Sequence, residues 1–313
     1  MTFLPGDPEY QHLFGVAYRL LGSAQDAEDA IQEGQIRWQQ LPEADRALIR
    51  EPLAWLTRVV SRICLDQLGS ARARREQYAG IWLPEPLPGQ IDDPLVSSAT
   101  ARDASDPAEA VTRDESVSMA LLVVMEKLSP GERVALILHD VFGVPFGEIA
   151  TIVDRSPEAC RQLASAGRRH VRSGPRFSPS GPERDRVVAA FARACMGGDL
   201  LALAQVLDPD VVSRADGGGL VPAGSRPIHG VERVARLLVG LIRRGFPGDP
   251  DISWRFAPVN GQTGLIVEAS GAVIGVMDLA VRDGRVAELA MVINPDKLTR
   301  WDRVADSASP ATG

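Results

Sequence analysis

The chain has 313 residues, 45% of them hydrophobic, and a formal net charge of −7. That length predicts more than one compact unit, and the apolar content lets each unit bury a core. An overall excess of acid excludes a polycation that coats nucleic acid indiscriminately.

The charge is unevenly placed. Residues 85–116 carry Glu85, Asp92, Asp93, Asp103, Asp106, Glu109, Asp114 and Glu115 against only Arg102 and Arg113, whereas 1–84 and 117–180 together hold 17 acids and 17 bases. On that near-neutral background Arg72, Arg74 and Arg75 form one basic cluster, and Arg161, Arg168, Arg169, Arg172 and Arg176 another. Cys64, Cys160 and Cys195 are odd in number and lie in apolar helical stretches, which predicts reduced, buried thiols. The N-terminus lacks the features of a signal peptide, and the most apolar stretch, 265–281, is interrupted by Glu268 and Asp278. The expectation is a soluble, cytoplasmic protein with no membrane partner.

Residues 8–80 read as helical. LFGVAYRLLGS has helical spacing and stops at Gly22; Ser23 caps a second helix, AQDAEDAIQEGQIRWQQL, much of whose surface is polar. A third helix follows Pro52 and is expected to stop near Gly69. From Trp82 to about Thr112, WLPEPLPG with three prolines and an acidic run after it predict an extended linker (81–112). Helical pattern resumes at 113. FGEIATIVDRSPEACRQLASAGRRHVR has helix-turn-helix form, with a turn at Val153–Arg155, Ser156 as cap and Pro157 as first residue of the second helix. That helix sets Cys160, Leu163, Gly167 and Val171 on one face and Arg161, Gln162, Ser165, Arg168, Arg169 and Arg172 largely elsewhere. Arginine and glutamine there can pair with base edges, and the later arginines with phosphates; a solvated basic face is the plainer alternative.

A second linker, 177–182, precedes helices at 183–197, 199–207 and 231–244. Four β-like runs follow, ISWRFAPV, TGLIVEA, AVIGVMDLAV and RVAELAMVI, separated by Asn260-Gly261, Ser270-Gly271 and Asp283-Gly284. Helices followed by an antiparallel meander predict an α+β domain over 183–313.

Two regions resemble one family. DAEDAIQEGQIRW resembles region 2.2 of bacterial sigma factors, the helix that docks on the clamp coiled coil of RNA polymerase. LAWLTRVVSRICLDQLGSARARRE resembles regions 2.3 and 2.4, and LSPGERVALILHDVFGVPFGEIATIVDRSPEACRQL resembles region 4. The chain is thus similar to sigma factors of the extracytoplasmic-function type. WLPEPL, DGGG and NPDKL resemble the signatures of a subgroup that carries a C-terminal cone similar to SnoaL and NTF2-like domains.

The resemblance implies a multidomain fold: a region 2 helical bundle (1–80), a region 4 helix-turn-helix domain (113–176) and the α+β cone. It implies core RNA polymerase (clamp and flap) and promoter DNA as partners, and no cofactor. Asp29, Gln32, Glu33 and Arg37 would face polymerase; a solvated face with a Glu33–Arg37 pair is the plainer reading. Trp55, Arg58, Arg62, Arg72, Arg74 and Arg75 would act at the −10 element, with Trp55 as a core residue the alternative. Arg161, Gln162, Ser165, Arg168, Arg169 and Arg172 would act at the −35 element. The acidic linker would thread the polymerase's nucleic-acid path. Gly34 and Gln35 depart from the family pattern, implying a weakened region 2.2 helix, and Gly69 removes one expected DNA contact.

Trp82, Leu83, Pro84, Glu85 and Pro86, with Asp216, Gly217, Gly218 and Gly219 and with Asn294, Pro295, Asp296, Lys297 and Leu298, would form regulatory contacts in cis. A small ligand in the cone is compatible with the resemblance. Asp278, in an otherwise apolar strand, is a weak candidate general base, with Glu268, Glu288, His229 and Arg255 as possible neighbours. Structural pairing is the plainer reading. An enzyme with a helical sensor half, or a dimeric repressor, are the competing functions. The histidines and cysteines show no metal-ligand spacing.

Overall fold

The computed structural model describes residues 3–76, 78–89, 119–173, 182–244 and 252–301, with 71–76, 173, 182 and 242–244 as backbone. The acidic run from 91 to 118 and most of the second linker lie outside the described residues. The chain divides into two compact units, one holding 3–76 and 121–173, the other 78–89 and 182–301.

The first unit is helical. Helix α1 (Pro8–Leu21) ends where Gly22, at φ 70°, turns its N–H to the carbonyl of Tyr18. The Ser23 hydroxyl accepts from the N–H of Asp26 at the start of α2 (Ala24–Gln40). A short α3 (Glu43–Leu48), not anticipated from periodicity, leads to α4 (Pro52–Glu76). Contrary to expectation α4 runs straight through Gly69. An exposed mid-helix glycine costs only about 1 kcal/mol relative to alanine, and the Ala and Arg residues that follow are good helix formers. Leu13, Val16, Ala17, Tyr18, Ala27, Ile31, Leu56, Val60 and Cys64 form the core.

Helix α2 is continuous through Gly34. A Cβ there would stand 2.8 Å from Cγ2 of Val60, so the glycine lets α2 and α4 pack closely. Gln35 donates to the carbonyl of Phe3 at 2.9 Å.

After α5 (Met119–Met125), Ser129 and Glu132 close a reciprocal capping box on α6 (Pro130–Leu136), which widens into a π-turn over Ile137–Val141. Helix α7 (Phe146–Val153) stops at Asp154, which adopts φ 56°, and the Ser156 hydroxyl accepts from Ala159 N–H at the head of α8 (Pro157–Ser173). Gly167 seats α8 on α6: its missing Cβ would lie 3.3 Å from the Glu132 carbonyl.

The second unit is α+β. Helices α9 (Pro182–Met196), α10 (Leu200–Val206) and α11 (Val231–Arg244) supply Val188, Phe191, Leu203, Val234 and Leu238 to a core shared with the sheet residues Leu265, Met277, Leu279 and Leu289. The strands are β1 (Leu207–Asp216), β2 (Ile228–His229), β3 (Ile252–Val259), β4 (Gln262–Ala269), β5 (Ala272–Arg282) and β6 (Arg285–Val292). Their order is β2-β1-β6-β5-β4-β3. The β3–β6 meander turns where expected, with positive φ at both residues of Asn260-Gly261, Ser270-Gly271 and Asp283-Gly284. The sheet is mixed, however, because β1 runs parallel to β6. LDPDVVSRAD carries a proline and three acids and lacks a clean period-two pattern, so it gives no strand signal.

Residues 78–89 form part of this second unit. Leu83 and Leu87 are buried, a burial worth about 1.5–3 kcal/mol each. Leu87 N–H donates to Oδ1 of Asn260 (2.7 Å), and Gly89 exchanges backbone bonds with Pro258 and Gly261.

Candidate nucleic-acid faces and a buried polar junction

On α2 the side chains of Asp29, Gln32, Glu33 and Arg37 are exposed, while Ala27, Ala30, Ile31, Gly34 and Trp38 face the core. Glu33 and Arg37 form the expected i,i+4 ion pair, and Gln25 donates to Asp29 at 3.0 Å. On α4, Trp55 is half-buried and meets Trp38 edge-on at 5.3 Å between ring centroids. Arg58 is half-buried, and Arg62 is exposed with its Nη1 bonded to the carbonyl of Ile152 at 2.7 Å. The backbone of Arg72, Arg74 and Arg75 continues α4; their side chains lie outside the described residues.

Along α8, Arg161, Gln162, Ser165, Arg169 and Arg172 are exposed. Arg161 pairs with Glu158 at 3.1 Å and lies over the Phe146 ring. Arg168 is held differently: Nε and Nη2 grip both carboxylate oxygens of Asp140 at 2.7 and 2.6 Å. The fork fixes α8 against the π-turn.

The second unit contains a buried polar junction, and all three signature segments meet there. Asp216 ends β1 with no exposure to solvent. Its carboxylate accepts from Tyr78 Oη (2.6 Å), Leu83 N–H (2.9 Å), Gly218 N–H (3.0 Å) and Lys297 Nζ (2.7 Å). Lys297 also donates to the carbonyl of Leu83 and lies 4.3 Å from the centroid of the Trp82 ring. Asn294 donates to Tyr78 Oη at 3.0 Å and accepts from Asp296 N–H. Burial, and the bond to the Asp216 carboxylate, push the Tyr78 hydroxyl well above the usual tyrosine range.

The glycines of the DGGG run are sterically required. A Cβ on Gly217 would stand 2.1 Å from the Val221 carbonyl, one on Gly218 2.5 Å from the Asn294 amide, and one on Gly219 2.8 Å from Ala79. Gly218 and Gly219 also hold φ of 66° and 75°. Further along, Trp301 Nε1 donates to the Pro86 carbonyl at 2.9 Å, and Arg300 lies 3.5 Å from the buried carboxylate of Glu85. Sequence reasoning missed Tyr78, Asn260, Arg300 and Trp301. The aromatic at 78 and the tryptophan three residues beyond NPDKL were the available signals.

Asp278 lies on β5 with only 4% of its surface exposed. None of its four expected neighbours is its partner: Glu268 pairs with Arg255 at 2.5 Å, Glu288 with Arg214 at 2.6 Å, and His229 lies exposed on β2. The partner is Arg184 of α9, which is itself buried and donates to Oδ1 of Asp278 (3.3 Å) and to the carbonyls of Thr263 (2.6 Å) and Leu279 (2.9 Å). Burial raises the Asp278 carboxyl above the usual range, while Arg184 and the Leu279 N–H pull it back. The Cys195 thiol is pushed up to about 12 by burial, and those of Cys64 and Cys160 also rise, which makes all three poor nucleophiles.

Comparison with known proteins gives these features a context. Residues 8–74 match the family model of sigma-70 region 2, and residues 118–171 that of sigma-70 region 4. The chain is 40% identical over 298 residues to the ECF RNA polymerase sigma factor SigJ of Mycobacterium tuberculosis, covering 92% of this chain and 90% of that protein. It is 34% identical over 290 residues to the probable sigma factor SigI of the same species, covering 92% and 91%. The crystal structure of M. tuberculosis SigJ superposes with a TM-score of 0.70 at 37% identity, covering 93% of this chain and 96% of that one. With the two helical modules in order and an α+β domain after them, the chain belongs to the extracytoplasmic-function sigma factors of RNA polymerase.

Proposed function

We propose that the chain starts transcription at promoters with −10 and −35 elements, and that its C-terminal unit tunes this in cis by holding residues 78–89. In this reading the exposed face Asp29, Gln32, Glu33 and Arg37 binds the clamp coiled coil, and region 4 meets the flap. Trp55, Arg58 and the arginines of α4 act at the −10 element. Arg161, Gln162 and Ser165 read the −35 element, while Arg169 and Arg172 contact phosphates and Arg168 anchors the helix. The cytoplasm, where the polymerase works, is the proposed compartment.

The observation that carries the regulatory part is the Asp216 junction. Residues 78–89 lie in sequence between the two DNA-reading modules, so holding them shortens the free connection between region 2 and region 4. Release of the segment would lengthen it. The Arg184–Asp278 pairing favours a structural role for that acid over general-base catalysis, and a non-enzymatic regulatory domain is the preferred reading of the cone. Any small ligand would act by changing how firmly 78–89 is held.

Binding to core polymerase and promoter footprints test the assignment. Ala at Asp29, Glu33 and Arg37 together should weaken core binding. Arg161→Ala or Gln162→Ala should relax sequence preference at −35 only, by about 1–3 kcal/mol. Core binding untouched by the first set, together with unaltered −35 preference in the second, contradicts it.

A further inference from the structure

The π-turn Ile137–Val141 touches α8 at two heights, through adjacent residues. Asp140 takes Nε of Arg168 on one carboxylate oxygen at 2.7 Å and Nη2 on the other at 2.6 Å. His139 stacks on Phe146 of α7 with 3.9 Å between ring centroids, and its Nδ1 lies 3.1 Å from the Val144 carbonyl. The guanidinium carbon of Arg161, near the head of α8, lies 5.8 Å from the centroid of that same Phe146 ring. Gly167, next to Arg168, seats α8 closely on α6, since a Cβ there would stand 3.3 Å from the Glu132 carbonyl. That contact sets how near α8 lies to α6. The freedom it leaves is rotation of α8 about its own axis, and the fork to Asp140 removes it.

Rotation matters because base edges are read within narrow limits. A side-chain tip about 6 Å from a helix axis moves about 2 Å when the helix turns by about 20°. The range of donor–acceptor distances that makes a hydrogen bond is only about 0.5 Å wide. Arg161, Gln162 and Ser165 are exposed in the first half of α8, the half of a recognition helix that meets base edges, whereas Arg168 is half-buried. The fork has an electrostatic effect as well. A guanidinium neutralised by a carboxylate of its own chain adds little to the sequence-independent attraction of phosphates.

We infer that Asp140 is a positioning residue: through Arg168 it fixes the rotation of α8, sets base discrimination at the −35 element and withholds one cation from the phosphates. The inference rests on the proposed reading of that element by α8. It assigns the discrimination partly to a turn outside the recognition helix, which touches no base itself.

The test uses the full chain bound to core polymerase, on promoter libraries varied at −35 or at −10, over a range of salt concentrations. Asp140→Ala should lower discrimination at −35 about tenfold and leave preference at −10 unchanged. It should also raise affinity for random-sequence DNA and steepen the salt dependence by about one in slope. Arg168→Lys keeps the charge but cannot form the fork, so −35 discrimination should fall about as far. A residue that only met phosphate would tolerate that change. The double substitution should discriminate no worse than Asp140→Ala alone. Wild-type discrimination at −35 in Asp140→Ala or in Arg168→Lys overturns the inference, and Arg168→Lys decides alone if Asp140→Ala does not fold. Equal losses at −10 and −35 with no steeper salt dependence overturn it too, because they mark general destabilisation. A wild-type chain that prefers no −35 sequence removes instead the assignment of α8 to that element.

Discussion

The hydroxyl of Tyr78 lies 2.6 Å from Oδ1 of Asp216, a hydrogen bond between residues 138 positions apart in the chain. It fastens a segment that follows the long region 2 helix to the end of the first strand of the C-terminal sheet. The same hydroxyl accepts from Asn294, so one phenol links the DGGG and NPDKL segments. Tyr78→Phe keeps the ring and removes both bonds. We expect docking of 78–89 to weaken by about 1–2 kcal/mol, and hydrogen exchange at Leu83 and Leu87 to accelerate roughly 5–30-fold. Exchange at the wild-type rate would show that the hydroxyl contributes nothing.

Asp216→Asn should cost more than Tyr78→Phe, because it leaves Lys297, with 11% side-chain exposure, beside a neutral amide in a buried site. Adding Lys297→Met should recover part of the loss. A double-mutant cycle by urea unfolding should give a coupling of about 0.5–3 kcal/mol, and additive losses would refute the pairing.

The buried Arg184–Asp278 pair makes a related prediction for the cone. Arg184→Met leaves a carboxylate enclosed without its cation and should destabilise the protein by about 3–5 kcal/mol, whereas Arg184→Met with Asp278→Leu should lose less. Because burial raises the Asp278 carboxyl, its contribution to stability is fullest below the unfolded carboxylate pKa and declines as pH rises through the higher folded value. In the Arg184→Met protein, with the lowering influence of the cation gone, that decline should move to higher pH in thermal scans. Scans with the same pH dependence in both proteins would contradict this.

The capping box on the region 4 helix gives the opposite sign. Burial pushes the Glu132 carboxyl up, but bonds from Ser129 N–H and Oγ, with nearby His170 and Arg169, bring it below the usual range. Its contribution is therefore present above the unfolded carboxylate pKa and lost as pH falls through the folded value. Glu132→Ala should cost about 1 kcal/mol at neutral pH, a gap that closes in acid. A gap constant with pH would mean that the carboxylate's charge is not what stabilises the cap.

The elements legible in the sequence were those set by local chemistry. Ser23 and Ser156 as caps, Gly22 as a stop and the three hairpin dipeptides act over a few residues, and each does what its type predicts. The exposed side of α8 was legible too, since helical periodicity separates Cys160 and Gly167 from Arg161 and Arg169. What escaped depends on partners distant in sequence. Strand β1 forms by parallel pairing with β6, and its proline and acids hide it from pattern reading. Gly34 marks a close helix contact with Val60, whereas by propensity alone it reads as a flaw. Arg184 resembles any surface arginine near a helix start until the fold sets it against Asp278. The three signature segments were visible as motifs, but that they meet on a single carboxylate required the fold.

Reconstituted transcription with core polymerase on a promoter library tests the central claim most directly. It would compare the full chain, the Asp216→Asn protein and a chain ending before Asn294. The account predicts promoter-specific initiation by the full chain, with undocking and truncation shifting its level in the same direction. Initiation indifferent to both changes would contradict regulation through residues 78–89, and no initiation by any form would contradict the assignment of function itself.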